Sequence, residues 1–252
     1  MKLWKLTFSP TGGTLKAAEM LAAGLPGEPV SLDLCERETN FDGIVCAPDD
    51  LVLLAVPSFG GRVPSVAVER IEQIHGNGAK AVLLCVYGNR AYEDTLTELE
   101  DAAKAAGLTV IGAATAIAEH SIAHQFAAGR PDAGDQKALA AFAEKISRKL
   151  AKGDFSTPTI PGNRPYKKAG GGMTPKPDKT CTHCGLCAAK CPTGAISPED
   201  PKQVDEKKCI GCMRCEAVCP AGARKLNPVM LFAVGKALQK ACEDRKEPEL
   251  YL

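Results

Sequence analysis

Two stretches of the chain carry the same cysteine pattern, Cys181-Thr-His-Cys184-Gly-Leu-Cys187-Ala-Ala-Lys-Cys191-Pro192 and Cys209-Ile-Gly-Cys212-Met-Arg-Cys215-Glu-Ala-Val-Cys219-Pro220. In each stretch two residues separate the first three cysteines from one another, three residues precede the fourth, and a proline follows it. The stretches hold eight of the twelve cysteines of the chain. Because the pattern occurs twice with unchanged spacing, it is the feature around which the rest of the sequence is interpreted.

Cysteines at this spacing are typical of ligands to [4Fe–4S] clusters, and the two stretches resemble those of bacterial two-cluster ferredoxins. In such ferredoxins the fourth cysteine of each stretch ligates the cluster of the other stretch. The resemblance therefore predicts two [4Fe–4S] clusters, the first held by Cys181, Cys184, Cys187 and Cys219 and the second by Cys209, Cys212, Cys215 and Cys191. Cys-x-x-Cys pairs also build zinc sites, but a triplet followed by Cys-Pro, found twice, is far more specific for clusters.

The composition is that of an ordinary globular chain, with 45% apolar and 24% charged residues. A formal net charge of +1 gives no electrostatic footprint for nucleic acid or for a membrane surface, so neither is an expected partner. The N-terminal segment is too short and too interrupted for a signal peptide, and no apolar run approaches the ~20 residues of a membrane span. We therefore expect a cytoplasmic protein, whose clustered thiols serve metal or redox chemistry rather than structural disulfides.

Residues 1–152 alternate the apolar patterns of strands with the patterns of helices. The predicted strands are 3–8, 30–34, 50–56, 79–87 and 108–115, and the predicted helices are 14–24, 64–74, 92–106 and 135–151. Within the third predicted strand, the unbroken apolar run at 51–56 suits a strand that is buried on both faces. The predicted fold class is therefore α/β, with a five-stranded, doubly wound parallel sheet that binds ligands beside the carboxyl ends of its strands.

The composition changes after this first domain. The predicted organisation is a domain at 1–152, a Pro/Gly linker at 153–178, a small α+β two-cluster ferredoxin domain at 179–227, and a C-terminal helix and tail at 228–252. The linker contains the run Gly170-Gly171-Gly172, where we expect it to be flexible, and Ile160 and Tyr166 are candidate anchors to the first domain. The apolar stripe of the last helix is expected to dock on one of the domains.

The turn after the first predicted strand combines small and hydroxylated residues, Phe8-Ser9-Pro10-Thr11-Gly12-Gly13-Thr14. Its glycines allow the backbone to approach a ligand, its hydroxyls can donate to oxygens, and the free amides of a helix N-terminus favour an anion. The turn lacks both the Gly-Lys-Ser/Thr of a Walker A loop and the Gly-x-Gly-x-x-Gly of a dinucleotide site. It is therefore a candidate phosphate site, and the alternative is a plain helix cap.

Residues 1–152 resemble a flavodoxin, whose phosphate loop has the pattern Ser-x-Thr-Gly-Gly-Thr found at residues 9–14. With the cysteine stretches behind it, the whole chain resembles the flavodoxin–ferredoxin fusion proteins of the EFR-type ferrodoxin family. The resemblance extends to two loops, Pro57-Ser58-Phe59-Gly60-Gly61-Arg62-Val63-Pro64 and Tyr87-Gly88-Asn89-Arg90-Ala91-Tyr92-Glu93-Asp94. It implies a flavodoxin-like domain with FMN, the phosphate on Ser9, Thr11, Gly12, Gly13 and Thr14, and the isoalloxazine ring on Pro57, Ser58, Phe59, Gly60, Gly61, Tyr87, Gly88, Asn89, Arg90 and Tyr92.

The two loops contain groups that suit a flavin ring. Phe59, Tyr87 and Tyr92 can supply flat aromatic cover. The peptide between Gly60 and Gly61 can turn a carbonyl toward reduced N5, because glycine tolerates the required rotation. These groups support the implied position of the ring.

Three further side chains have two readings each. Arg62 or Arg90 can neutralise an anionic reduced flavin, and the alternative for each is a solvated surface charge. His120 is a candidate proton donor to reduced flavin, and a capping or surface histidine is the commoner alternative.

These features predict an iron–sulfur flavoprotein that passes electrons between its clusters and FMN and exchanges them with a redox protein such as a ferredoxin. No catalytic residue is predicted, since the cofactors carry the chemistry, and whether the chain is an enzyme stays open. One alternative is an FMN-dependent reductase of a quinone, an enone or a similar acceptor. Another is a docking platform that has lost FMN, against which the intact loop at 9–14 argues. The sequence also leaves open whether electrons reach the flavin within one chain or between the subunits of a homodimer.

Overall fold

The computed structural model describes residues 1–170 and 172–252, so Gly171 of the predicted glycine run lies outside the described residues. The elements follow in the order β1 (Lys2–Thr7), α1 (Gly13–Ala22), β2 (Glu28–Asp33), β3 (Leu51–Pro57), α2 (Ser65–Ile71), β4 (Lys80–Tyr87), α3 (Thr95–Ala105), β5 (Thr109–Ile117), α4 (Ala133–Ala151), β6 (Lys176–Pro177), α5 (Leu186–Ala189), α6 (Arg214–Ala217), β7 (Arg224–Lys225), α7 (Pro228–Gln239) and β8 (Leu250–Tyr251). Elements β1 to α4 alternate as the sequence predicts, with ends that differ by a few residues.

Five parallel strands form the central sheet in the order β2-β1-β3-β4-β5, and β8 pairs antiparallel with β5 at one edge. The order 2-1-3-4-5 is that of flavodoxin-like doubly wound sheets, which bind ligands beside the switch point between β1 and β3. Residues 51–56 of β3 are all buried, as the apolar run predicts for a strand between two helical layers. The predicted fold class is thus confirmed, and β8 is an addition that the sequence pattern does not reveal.

Helices cover both faces of the sheet. On one face Leu21 of α1 and Leu139 of α4 belong to the same buried core. On the other face Ile71 of α2 and Leu99 of α3 belong to a second core. Because both faces are covered, the loops at the carboxyl ends of the strands are left to form a ligand site.

The linker after α4 lies along the first domain. Ile160 packs against the core beneath α2 and α3. Beside it, Thr97 of α3 donates through Oγ1 to the carbonyl of Pro161 at 2.9 Å. Further along, the ring of Tyr166 lies 4.8 Å from the guanidinium carbon of Arg62. Both predicted anchors therefore make contacts with the first domain.

The cysteine-rich part is small and held by short elements. Helices α5 and α6 span four residues each, and β6 and β7 form a two-stranded antiparallel ribbon. Its buried core contains Cys187, Ala188, Cys191, Ala195 and Ile196. A core of this size stabilises little by itself, so bound metal is the expected source of further stability.

Helix α7 differs from α1, α3 and α4, since none of its residues is buried. Val229, Met230 and Phe232 are exposed. Val234 and Leu238 instead face the loops at the carboxyl ends of the strands. Although α7 is apolar, neither it nor any other helix in the described ranges is long and apolar enough to cross a membrane.

The burial of β3 gives a test of the core. Leu54 has no exposed surface, so Leu54→Ala should lower the free energy of unfolding by about 2–5 kcal/mol through lost contacts and a residual cavity. Val45 is 58% exposed, and the control Val45→Ala should change that free energy by no more than about 0.5 kcal/mol. Chemical denaturation followed by circular dichroism measures both variants. Equal losses in the two would contradict the described burial.

Candidate functional site

A cavity of about 290 Å³ opens at the carboxyl ends of the parallel strands. Loops that follow β1, β3, β4 and β5 contribute to its wall, which is where a doubly wound sheet binds ligands. Ten predicted residues line it: Thr11, Gly13, Thr14, Pro57, Ser58, Phe59, Gly60, Tyr87, Gly88 and Arg90. Five others lie outside the lining of the cavity: Ser9, Gly12, Gly61, Asn89 and Tyr92.

The loop after β1 directs the start of a helix at the cavity. Gly12 has a φ of 94°, and α1 begins at Gly13 without a side-chain cap. Ser9 supports the loop from outside the cavity, since its Oγ accepts a hydrogen bond from the amide of Leu15 at 2.9 Å. Thr14, which also bears a hydroxyl, lines the cavity beside this helix N-terminus. Ser9 and Gly12 therefore shape the loop, and the amides and hydroxyls that line it fit a phosphate.

Two glycines allow the loop after β5 to approach the cavity closely. A Cβ atom on Gly13 would lie 2.9 Å from the Cβ of Ala118. A Cβ atom on Gly88 would lie 2.6 Å from Cδ2 of His120. Larger residues at these two positions would push the β5 loop away, so the wall of the cavity requires glycine at both.

The loops after β3 and β4 are tied to each other. The amide of Phe59 donates to the carbonyl of Arg62 at 2.9 Å, which closes a turn through Gly60 and Gly61. Both glycines have positive φ, 61° and 87°. The amide of Asp94 then donates to the carbonyl of Gly61 at 3.1 Å. Gly61 therefore joins the turn to the neighbouring loop, while Gly60 and Phe59 line the cavity.

Asn89 holds the C-terminal tail instead of lining the cavity as predicted. Its Nδ2 donates to the carbonyls of Cys242 and Asp244 at 3.0 and 2.9 Å. Its Oδ1 accepts from the amide of Lys246 at 3.1 Å. The side chain is 4% exposed, so these bonds satisfy a buried amide. The tail partners lie more than 150 residues away in sequence, so local spacing gave no signal of them.

Tyr92 is also turned away from the cavity. Its hydroxyl lies 2.7 Å from Oε2 of Glu249 and 2.7 Å from the hydroxyl of Tyr251. Burial, together with these two neighbours, raises its pKa well above the ordinary value. The Tyr92 ring packs beside the ring of Tyr87 with centroids 5.4 Å apart. The aromatic lining of the cavity is therefore reduced to Phe59 and Tyr87.

The structure places the two candidate arginines in different surroundings. Arg62 bonds to both carboxylate oxygens of Glu98 at 2.7 and 2.6 Å, and it also contacts Tyr166. It takes no part in the lining of the cavity. Arg90 does line it, and its guanidinium pairs with Glu93 at 2.5 Å. Arg90 is thus the candidate cation of the site, with its charge partly balanced.

His120 lines the cavity and is held in one tautomer. Its Nδ1 accepts hydrogen bonds from the amides of Ile122 and Ala123 at 3.2 and 3.1 Å. Burial lowers the pKa of His120, and the charges of His124 and Arg90 act in the same direction. The ring is therefore neutral at physiological pH, with its proton on Nε2. His120 therefore caps a turn, which agrees with the commoner of its two alternatives. This turn lies in the wall of the cavity and not on the outer surface.

The cysteines of the two stretches line two further cavities. We define the first cysteine set as Cys181, Cys184, Cys187 and Cys219, which line one of them. The second cysteine set is Cys191, Cys209, Cys212 and Cys215, which line the other. Each set combines three cysteines of one stretch with the fourth cysteine of the other, which is the grouping that the ferredoxin resemblance implies.

Backbone amides support the sulfur atoms that come from the opposite stretch. The amide of Ala195 donates to Sγ of Cys191, and the amide of Ala223 donates to Sγ of Cys219, both at 3.3 Å. Within the described part of the chain, no three His, Cys, Asp or Glu side chains come together as a site for a single ion. Four thiols around each cavity, with N–H groups aimed at sulfur, are a donor set that fits a [4Fe–4S] cluster.

The second cysteine set adjoins the cavity on the sheet. Cys212 lines both cavities, together with Ile210 in each. The approach depends on two glycines, because a Cβ atom on Gly172 of the linker would lie 2.9 Å from the Cα of Gly211. Val234 of α7 completes the wall on this side. Local sequence patterns give no signal of this shared wall, since it requires the packing of three distant segments.

Ion pairs also join the cysteine-rich part to the first domain. Arg214 lies between Cys212 and Cys215 in the sequence, and its Nη2 is 3.2 Å from Asp33 and 3.3 Å from Glu36. Lys190 pairs with the same Glu36 at 2.8 Å, and this hydrogen bond holds the pKa of Glu36 below its usual value. Both acidic residues belong to the end of β2 and the loop after it. The contacts therefore hold the cysteine-rich part beside the β1 loop.

Comparison with known proteins gave one family match. Residues 180–223 match the family described as a 4Fe-4S dicluster domain. A search of curated proteins found no match. The narrower resemblance to EFR-type ferrodoxins therefore stays a prediction.

Solved structures align with the first part of the chain. An archaeal flavodoxin is 14% identical with a TM-score of 0.42, over 60% of this chain and 99% of its own. The flavodoxin of Streptococcus pneumoniae TIGR4 is 18% identical with a TM-score of 0.42, over 58% of this chain and 99% of its own. Rubredoxin oxygen:oxidoreductase of Desulfovibrio gigas is 14% identical with a TM-score of 0.44, over 60% of this chain and 36% of its own. At these scores the fold assignment rests on the strand order alone.

The strand order and the family match bear on different parts of the chain. The order 2-1-3-4-5 makes the first part flavodoxin-like. The match at 180–223 makes the second part an iron–sulfur segment. The chain therefore joins a flavodoxin-like α/β domain to a 4Fe-4S dicluster domain.

Proposed function

We propose that this protein transfers electrons between two [4Fe–4S] clusters, one on each cysteine set, and a bound FMN. The observation that carries the proposal is the position of Cys212, which lines both the cavity of the second cysteine set and the cavity on the sheet. A cluster ligand in the wall of a flavin pocket gives electrons a short path between the two cofactors. Since this wall belongs to one chain, the path needs no second subunit.

The cavity on the sheet has the groups that FMN requires. The hydroxyls of Thr11 and Thr14 and the N-terminus of α1 would hold the phosphate. Phe59 and Tyr87 would cover the ring, because aromatic faces match its flat apolar surface. Arg90 would balance negative charge on the reduced ring. Bound FMN supplies the exchange between one-electron and two-electron chemistry.

The walls contributed by the rest of the chain would keep water from the ring. Ile210 and Val234 are apolar and come from the cysteine-rich part and from α7. His120 presents a neutral ring whose Nε2–H is available as a hydrogen-bond donor. An apolar wall that excludes water strengthens the interactions of the protein with charge on a ligand. His120 would add a hydrogen-bond donor in a fixed orientation.

The first cysteine set would exchange electrons with a redox protein. Its Cys184 is exposed, whereas Cys212 of the second cysteine set lies in the wall of the inner cavity. The order of cofactors would therefore run from the surface through the first and second cysteine sets to the flavin. A ferredoxin or a similar one-electron carrier suits this exposed end.

The alternative is a reductase that passes electrons from FMN to a small acceptor. Such an enzyme needs space for its substrate beside the ring. Here Gly211, Cys212 and Leu238 already form part of the wall of the same cavity. The wall therefore favours transfer through the clusters over transfer to a second bound molecule.

A phosphate-loop variant tests the FMN site. Thr14→Ala should weaken FMN binding by about 10–100-fold, because it removes a hydroxyl that would donate to a charged phosphate. Thr14→Ser should retain most of the affinity. Thr159→Ala, at an exposed linker position, is the control and should bind as the wild type does. Quenching of FMN fluorescence by flavin-free protein measures the Kd, and an unchanged Kd for Thr14→Ala would refute the proposed phosphate site.

Paired cysteine variants test the cluster assignment. Anaerobically prepared wild type should contain about eight iron atoms per chain, since each cluster holds four. Cys191→Ser should give the EPR spectrum of Cys212→Ser, because both lie in the second cysteine set. Cys219→Ser should give that of Cys184→Ser, from the first cysteine set. If Cys191→Ser instead matched Cys184→Ser, each stretch would hold its own cluster and the crossed ligation would be wrong.

The proposed route predicts which cofactor a partner reaches first. In Cys184→Ala, flavin reduction by a reduced ferredoxin should be lost, while a small chemical reductant should still reduce the flavin. Stopped-flow absorbance follows both reactions. Equal ferredoxin-dependent rates in Cys184→Ala and wild type would contradict a route through the first cysteine set. Rapid reoxidation of the flavin by quinones but not by redox proteins would favour the reductase alternative.

A further inference from the structure

The two stretches end in segments with matching backbones. Residues 191–196 and 219–224 each run from a cysteine through proline, glycine and alanine. Gly194 and Gly222 have positive φ, 63° and 57°. In both segments the alanine amide donates to the cysteine sulfur at 3.3 Å. The two cysteine sets therefore have equivalent backbone surroundings at these positions.

The next residue breaks this equivalence. Ile196 follows Ala195, is 5% exposed, and lines the cavity of the second cysteine set. Arg224 follows Ala223, is 2% exposed, and lines the cavity of the first cysteine set. One cysteine set thus faces an aliphatic side chain where the other faces a guanidinium.

The guanidinium of Arg224 is directed at protein oxygens and at a ligand sulfur. Its Nη1 donates to the carbonyl of Pro175 at 2.9 Å. Its Nη2 donates to the carbonyl of Pro201 and contacts Sγ of Cys187 at 3.6 Å. Its Nε is buried and has no acceptor among residues 1–170 and 172–252. Within the same residues, the hydrogen-bond partners of this guanidinium are two carbonyls and a sulfur, and none is a carboxylate.

A buried arginine requires a compensating negative charge. Carbonyl oxygens satisfy hydrogen bonds but supply no net charge. The thiolate of Cys187 is the group in contact that becomes negative when it ligates iron. The compensating charge is therefore the ligated cluster, chiefly the one on the first cysteine set.

We propose that Arg224 separates the reduction potentials of the two clusters and makes the one on the first cysteine set the easier to reduce. This inference rests on the two clusters of the proposed function. Each cluster takes up one electron from a one-electron donor without a proton, so its negative charge rises by one unit. A fixed positive charge stabilises that more negative form, and a hydrogen bond to sulfur acts in the same direction. Ile196 gives the other cluster neither contribution.

The separation has a consequence for electron flow. The first electron would reside on the cluster of the first cysteine set, next to the exposed Cys184. A second electron would then occupy the cluster beside the flavin cavity, where Cys212 lies. That cluster is the stronger reductant of the two, so the flavin faces the more reducing member of the pair. Arg224 influences electron flow only through the reduction potential of the cluster, so it is a positioning residue and not a catalytic one.

An EPR-monitored potentiometric titration of the full chain tests the proposal. Wild type should give two resolved one-electron midpoints, and Cys184→Ala should perturb the more positive one. In Arg224→Met the reduction equilibrium of that cluster should become at least tenfold less favourable, a shift of 59 mV for a one-electron couple. Arg224→Lys should recover part of the shift, because it retains the charge. Ile196→Met is the matched control and should move neither midpoint.

Each outcome bears on the proposal. Coincident midpoints in wild type, an unchanged midpoint in Arg224→Met, or equal shifts in Arg224→Met and Ile196→Met would overturn it. If Arg224→Met lost iron, the midpoints of the wild type and of Arg224→Lys would still test the proposal, since both proteins keep a positive charge at this position. Midpoints are read from the clusters without flavin. A protein that holds two clusters but fails to reduce FMN would therefore sink the electron route and leave this inference standing.

Discussion

The contact on which the arrangement depends is the approach of two glycine backbones, Gly172 of the linker and Gly211 of the second cysteine stretch. A Cβ atom on either would lie within 3 Å of the other's Cα. This approach brings Cys212 into the wall of the cavity on the sheet. Gly172 belongs to the glycine run of the linker, and its lack of a side chain permits this close packing. A side chain at either position would separate the cysteine-rich part from the flavodoxin-like domain.

Charged contacts at the same junction orient the two parts of the chain more than they stabilise their association. Exposed pairs such as Lys190 with Glu36 contribute about 0–1 kcal/mol each. Arg70 is more buried, and it donates to the carbonyl of Pro192 at 2.8 Å and to that of Leu34 on the first domain. A buried arginine that bonds to carbonyls of both parts fixes their relative position, since leaving these groups unpaired would cost more than a surface pair contributes.

Much of the fold was predictable from the sequence because its signals are local. The alternation of strands and helices gave the sheet, the run at 51–56 gave the buried β3, and the resemblance of the cysteine stretches to two-cluster ferredoxins gave the grouping into two sets. The side chains that lie elsewhere than expected have partners far away in the sequence. Asn89 and Tyr92 stand in a loop that resembles a flavin loop, but their partners are in the tail beyond α7. A two-residue strand such as β8 is too short to show a periodic pattern. The sequence therefore gave no indication that the tail pairs with the sheet.

The β4 loop also contributes charge to the candidate flavin site. Asn89 and Tyr92 are neutral and bond to the tail, so Arg90 is the cation of this loop that lines the cavity. Burial acts to raise the pKa of Glu93, but hydrogen bonds from Arg90 and Lys167 hold it below its usual value, so this carboxylate stays ionised. Because the Glu93 carboxylate partly neutralises Arg90, a negative ligand would interact with only part of the positive charge of Arg90. Together with a neutral His120, this gives a site with little excess positive charge, whereas the buried Arg224 lies beside the first cysteine set.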